Sequence, residues 1–130
     1  MKGPRAWTFG IAAVLAAAAL GPLVVARDGA APPREIRLVV RDMRFYLEGQ
    51  QAPNPPLRLR PGEHVRVVLR NEDPGIGHDF AIASWKVATA LVYKAAEETS
   101  VTFRVPDRPG TETYMCTPHA EMMRGSIRIE

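Results

Sequence analysis

The chain has 130 residues, of which 46% are hydrophobic and 24% charged, with 12 prolines, 10 glycines and one cysteine. That length holds one ordinary domain, the lone cysteine forbids an intrachain disulfide, and basic residues spread along the chain at a net charge of +3 argue against an electrostatic nucleic-acid binder. Lys2 and Arg5 are two of the 17 basic residues and every one of the 14 acidic residues lies beyond position 26, so the chain after residue 26 is close to neutral, at +1.

Lys2 and Arg5 precede an apolar run from Ala6 to Ala26 that stops at the charged pair Arg27-Asp28. The pattern is that of an export signal, with small residues such as Ala26 suited to a cleavage site. The run is also about the ~20 residues that a helix needs to cross a bilayer, so an uncleaved N-terminal membrane anchor is the alternative. Residues 27–34, rich in alanine and proline, read as an extended spacer, and the folded domain is expected over 35–130.

From Glu35 to Arg41 the sequence alternates Ile36, Leu38 and Val40 with Arg37 and Arg41, the period of a half-buried strand. Met43, Phe45 and Leu47 continue it after a bend near Asp42, and residues 49–56 form a Pro-rich loop. Leu57 and Leu59 alternate with Arg58 and Arg60; Pro61-Gly62-Glu63 turns the chain, and Val65, Val67 and Leu69 follow in phase. This predicts two strands joined by a tight turn. His64 shares a face with Arg66 and Arg70 and reads as a solvated strand residue.

Asn71 to Gly77 is a loop by composition, and His78 opens the next apolar alternation through Phe80 and Ile82. Residues 84–98 mix helix and strand formers, which predicts an irregular excursion with a turn or two of helix and Trp85 as a packing anchor. Val101, Phe103 and Val105 alternate, Pro106 to Gly110 turns, a strand runs to Cys116, and Ile127 and Ile129 mark a last strand. Seven or eight short strands with little helix predict an all-β sandwich or Greek-key barrel.

Between the last two strands lies Tyr114-Met-Cys-Thr-Pro-His-Ala-Glu-Met-Met123. Within eight residues it holds the only cysteine, a histidine three positions on, and two methionines. A thiolate, an imidazole and a thioether are soft and borderline donors that suit copper moving between Cu(I) and Cu(II); structural zinc would take four strong N or S ligands. In an exported protein a lone thiol is reactive, paired between chains or occupied by metal, and these neighbours favour metal. A second histidine must come from elsewhere, and His78 is the candidate.

Taken together, Tyr114-x-Cys116-x-Pro118-His119 with a following Met-x-Gly, Pro61-Gly-Glu-x-Val-x-Val-x-Leu-x-Asn71 and Gly77-His78-x-Phe80 resemble the small blue-copper proteins, the cupredoxins. The resemblance covers essentially the whole domain. It implies an eight-stranded Greek-key β-sandwich with one copper ion bound by His78, Cys116, His119 and an axial methionine. Spacing from His119 admits Met122 or Met123; the frame Met123-Arg-Gly-Ser-Ile-Arg-Ile and the inward phase shared with Ile127 favour Met123. Where relatives carry an asparagine after the first histidine, this chain has Asp79, and the resemblance places Asp79, with Asn71 and Thr117, around the ligands.

The function so implied is electron transfer rather than catalysis, because such a site has no open strong coordination position. Pro118, Ala120, Ile76 and Pro74 around His119 are the expected docking patch for transient redox-protein partners of a monomeric, exported, periplasmic domain. The competing reading is a periplasmic Cu(I)-handling chaperone in which Met43, Met115, Met122 and Met123 enlarge a soft site. A metal-free interaction module on the same fold leaves the donor set unexplained.

Overall fold

The structure is a computed structural model that describes residues 31–130 together with Gly3 and Gly29. The signal or anchor expected over 1–26 lies outside the described residues, and among those described no helix is long and apolar enough to cross a membrane. Ala31–Glu130 forms one compact unit. Residues 31–33 are exposed and irregular, but Arg34, counted with the spacer above, is already in the first strand, where it pairs with Val65.

Nine strands are present among the described residues: β1 (Arg34–Arg41), β2 (Arg44–Leu47), β3 (Leu57–Leu59), β4 (His64–Asn71), β5 (Ala81–Ile82), β6 (Val87–Ala88), β7 (Glu98–Arg104), β8 (Gly110–Met115) and β9 (Arg124–Ile129). They form two sheets, one of four strands in the order β2-β1-β4-β7 and one of five in the order β3-β9-β8-β5-β6. The count exceeds the expected seven or eight because β5 and β6, two residues each, subdivide the stretch after His78. Alternation sends Leu38, Val40, Phe45, Val65, Val67 and Leu69 of one sheet inward against Ile82, Tyr114, Ile127 and Ile129 of the other, with Phe80, just before β5, in the same core.

The turn at Pro61-Gly62 does not make a hairpin. β3 pairs in parallel with β9, whereas β4 pairs in parallel with β1 and antiparallel with β7. The turn therefore carries the chain from one sheet to the other, with Gly62 at φ 72° and a Cβ there overlapping the Asp107 carboxylate.

β1 and β2 do form a hairpin, through Asp42-Met43 with φ of 50° and 57°. Two positive φ values define the turn whose twist matches that of the strands. Neither residue is glycine, so the conformation needs support from outside the hairpin. It comes from the loop after β4: the Asp73 carboxylate accepts the Asp42 N–H at 2.8 Å and the Met43 N–H at 3.0 Å.

The excursion over 84–98 contains one 3-10 turn, Ala83–Trp85, and β6; half-buried Trp85 packs on Phe103 with ring centroids 5.8 Å apart. It also returns to the loop before β5, where His78 and Val92 exchange backbone hydrogen bonds of 3.0 and 2.9 Å. Below the β8–β9 connection, Tyr114 lies stacked on Phe80 at 5.5 Å and edge-on to Phe45 at 5.3 Å, and its hydroxyl donates to the Pro55 carbonyl at 2.7 Å. Gly125 sits opposite Tyr114 in the ladder, and a Cβ there would overlap the tyrosine ring.

Candidate metal centre

His78 follows the loop that leaves β4, and Cys116 and His119 lie on the connection from β8 to β9. The Met115–Arg124 pair closes that connection, so the intervening eight residues must curl back on themselves. They do so through a 3-10 turn, Thr117–His119, opened by Pro118, whose missing N–H costs nothing at a first turn. The His119 carbonyl accepts from Met123 N–H at 2.9 Å, and Cys116 N–H donates to the Met123 carbonyl at 2.9 Å.

Cys116 Sγ lies 3.7 Å from His78 Nδ1 and 3.5 Å from His119 Nδ1. Among the described residues these three form a group whose potential donor atoms all lie within 4.8 Å of one another. The imidazole rings stand 5.1 Å apart at 52°, converging on the sulfur from two loops. His78 and Cys116 are sealed from solvent, whereas His119 is partly exposed.

Burial pushes the Cys116 thiol up to about 11, only partly offset by the backbone N–H groups of Asp79 and His119, which favour the thiolate. Burial likewise holds His78 below the usual histidine range, with nearby Asp73 opposing it. Burial thus leaves the imidazole neutral, with a lone pair free for a cation, and the thiol can become a buried thiolate only where a cation offsets the cost of its charge.

Asp79 is also buried, and one carboxylate oxygen accepts the Thr117 N–H at 2.6 Å. The expected residue therefore does join the two ligand loops. Thr117 takes part through its backbone and leaves its side chain exposed. Asn71, fully buried, reaches none of the three donor residues directly. Its amide binds the Asp73 and Lys94 carbonyls at 3.2 and 3.3 Å and its oxygen accepts the Asp73 N–H at 3.0 Å.

Met123 is fully buried in the core, whereas Met122 is 57% exposed. Pro118, His119, Ala120 and Met122 are among the residues lining one shallow surface pocket of about 390 Å³, and Pro74 and Ile76 are exposed on the other loop without lining it.

Three participants were not evident from sequence. Asp73 Oδ2 lies 3.3 Å from His78 Nε2. Thr89 Oγ1 accepts the Phe80 N–H at 3.0 Å, pinning the residue two after His78. Tyr93 covers Gly77, where a Cβ would overlap its ring. Asp73-Pro74-Gly75 has the composition of a turn, which was legible; its neighbours across the fold were not.

Two packed sheets with a largely buried His-Cys-His cluster, built from the loop after β4 and the connection from β8 to β9, define the cupredoxin class. The fold is similar to that of auracyanin B (TM-score 0.59, 22% identity, covering 78% of this chain and 91% of that one). It is also similar to auracyanin A, a blue copper protein from Chloroflexus aurantiacus (0.55, 18%, 76% and 100%), and to rusticyanin from Thiobacillus ferrooxidans (0.53, 24%, 76% and 79%). No curated protein sequence matches significantly. Residues 59–130 match the model of the copper binding proteins of the plastocyanin/azurin family, and the chain belongs to that family. Copper is accordingly its metal, and the donor set of one thiolate and two imidazoles fits a single type 1 ion.

Proposed function

We infer that the protein is an exported electron carrier that holds one copper ion through His78 Nδ1, Cys116 Sγ and His119 Nδ1, with Met123 as the axial ligand. The observation that carries this reading is the convergence of the three donor atoms within 4.8 Å, two of the three residues being sealed from water. Bound there, copper supplies a one-electron couple, Cu(II)/Cu(I), and no bond in the protein is made or broken when it turns over. The chain's part is to hold the donors still. The Asp79–Thr117 hydrogen bond ties one ligand loop to the other, and the His119 and Met123 backbone bonds fix the curl of the second. Ligands that need not move as the ion changes charge keep reorganisation small.

Burial of Met123 in the core supports it over Met122 as the axial group, since Met122 spends its side chain on the surface. Partly exposed His119, with Pro118 and Ala120 beside it and Pro74 and Ile76 on the adjoining loop, is the face at which redox partners dock transiently and the electron enters and leaves. The N-terminal apolar run either is cleaved on export or anchors the domain, and the domain works as a monomer outside the cytoplasmic membrane.

Copper titration of wild type and Cys116→Ser tests the reading. An intense visible Cu(II)–thiolate band with reversible voltammetry in wild type, absent from the variant, is expected; a visible band retained in Cys116→Ser would overturn it.

A further inference from the structure

His78 is fully buried and both its ring nitrogens have a direction to serve. Nδ1 faces Cys116 Sγ at 3.7 Å, the side of the metal donors. Nε2 points the other way, is itself buried, and has no aligned hydrogen-bond partner. The charged atom within reach of it is Asp73 Oδ2, at 3.3 Å. This is close enough for a direct electrostatic contact, although the ring N–H axis does not run along it.

Asp73 is itself held in place. Its two carboxylate oxygens accept the N–H groups of Asp42 and Met43, its own N–H donates to Asn71, and its carbonyl accepts from the Asn71 amide. The side chain is only 13% exposed, so its charge is poorly screened by water. A carboxylate that two hydrogen bonds hold against the rear nitrogen of an imidazole, on a backbone that two more tie to Asn71, is placed to set two properties of that ring. It favours the tautomer with the proton on Nε2, leaving the Nδ1 lone pair for a metal. It also makes the ring a stronger donor, which favours the more highly charged state of the ion.

We propose that Asp73 is a positioning residue for the copper site, a carboxylate that holds His78 in its Nε2–H form from behind and thereby lowers the reduction potential. This rests on the reading of His78 Nδ1 as a copper ligand. It gives the β1–β2 turn a role as well: the turn's two donors orient the carboxylate, so the support of a strained hairpin and the support of a ligand are one contact.

A structural alternative has to be separated from this, because Asp73 also stabilises Asp42 and Met43 at positive φ. The Asp42→Asn/Met43→Gly pair supplies the residues this turn type prefers and removes its dependence on Asp73. In that background, Asp73→Asn and Asp73→Ala are compared with their parent by voltammetry of the copper protein and by ring-nitrogen NMR of the diamagnetic Cu(I) protein. Both variants are expected to keep the visible band. Their Cu(II)/Cu(I) affinity ratio is expected to fall by about tenfold, an upward shift of about 59 mV for one electron. The His78 Nε2–H proton resonance is expected to shift from its position in the parent. An unchanged potential with an unchanged Nε2–H resonance overturns the proposal while the band stands. Loss of the band from both variants, with the parent still blue, also overturns it, because Asp73 would then be needed for the site to form rather than to tune it. A parent and wild type with no visible band on adding copper overturn the carrier reading and this proposal together.

Discussion

The Asp79 carboxylate accepts the backbone N–H of Thr117 at 2.6 Å, so the residue after one histidine of the cluster is bonded to the residue after its cysteine. One short contact thus fixes the separation of the two loops that carry the donors. Asparagine at this position keeps an acceptor oxygen and loses the negative charge. Asp79→Asn is therefore expected to retain the visible band and to raise the reduction potential by on the order of 59 mV, a tenfold change in the affinity ratio. Voltammetry of the two proteins side by side checks this, and an unchanged potential would contradict it.

The two methionines of the loop should separate cleanly. Leucine replaces methionine with little change of volume, so Met123→Leu is expected to cost less than about 1.5 kcal/mol of stability. It also removes the thioether. A weak donor favours Cu(II), and its loss should raise the potential and shift the visible spectrum, whereas Met122→Leu at the exposed position should change neither. Spectra and voltammetry of both variants decide the register; the reverse pattern would make Met122 the axial group.

Metal-free protein should lose stability at alkaline pH. The folded thiol is raised to about 11 by burial, above the 9.0 of an unperturbed thiol, so the unfolded chain ionises first. Stability from this group is complete below about pH 9 and declines as pH rises towards 11, by roughly 3 kcal/mol in total. Denaturant titrations of metal-free wild type and Cys116→Ser across that range should diverge, with the variant losing less; burial raises the Tyr114 hydroxyl too, and that loss is common to both proteins. Copper loading near neutral pH must then displace the thiol proton, which a weakly buffered indicator solution would register.

At the other end of the pH scale, Glu63 is the group to watch. Burial disfavours its charge, but the Arg34 guanidinium, bonded to both its oxygens, and the Arg60 N–H together hold its carboxyl below the usual range. A depressed folded value stabilises the protein above the unfolded value of 4.5 and is lost as pH falls through the folded one. Arg34 is about half exposed, so the pair is worth no more than about 1 kcal/mol. Glu63→Gln should cost that much at pH 7 and progressively less in acid, as read from unfolding midpoints.

Gly125 and Tyr114 give a test of packing independent of metal. Gly125→Ala drives a methyl into a ring fixed by Phe45, Phe80 and the Pro55 carbonyl, and should destabilise the metal-free protein by about 1–3 kcal/mol. Tyr114→Phe keeps the ring and orphans a buried carbonyl partner, at about 1 kcal/mol. Thermal unfolding of both variants ranks them, and an unaltered Gly125→Ala protein would show that the strand pair has more room than the geometry allows.

Much of this was readable in the chain because the strands alternate. Ile36 to Val40, Val65 to Leu69 and Ile127 to Ile129 announce which side faces inward, and the loop with Cys116, His119 and Met123 announces its chemistry by donor type and spacing. The two strands expected on either side of Pro61-Gly62 are there, but their pairing was not legible: a turn reports only that the chain reverses, and β3 and β4 find their partners about 70 and about 30 residues away, in β9 and β1. Asp73 was hidden in the same way. Its side chain serves Asp42, Met43 and His78, and nothing local distinguishes it from any other acidic residue in a Pro-Gly loop.

His78 is closed to solvent and His119 is not. If the protein carries electrons as proposed, with the exposed ring as the route in and out, reductant and oxidant would need the same doorway and could not occupy it together. The protein would then have to leave one partner before meeting the next, so its throughput would be governed by how quickly each complex falls apart, and a partner that bound it tightly would act as an inhibitor.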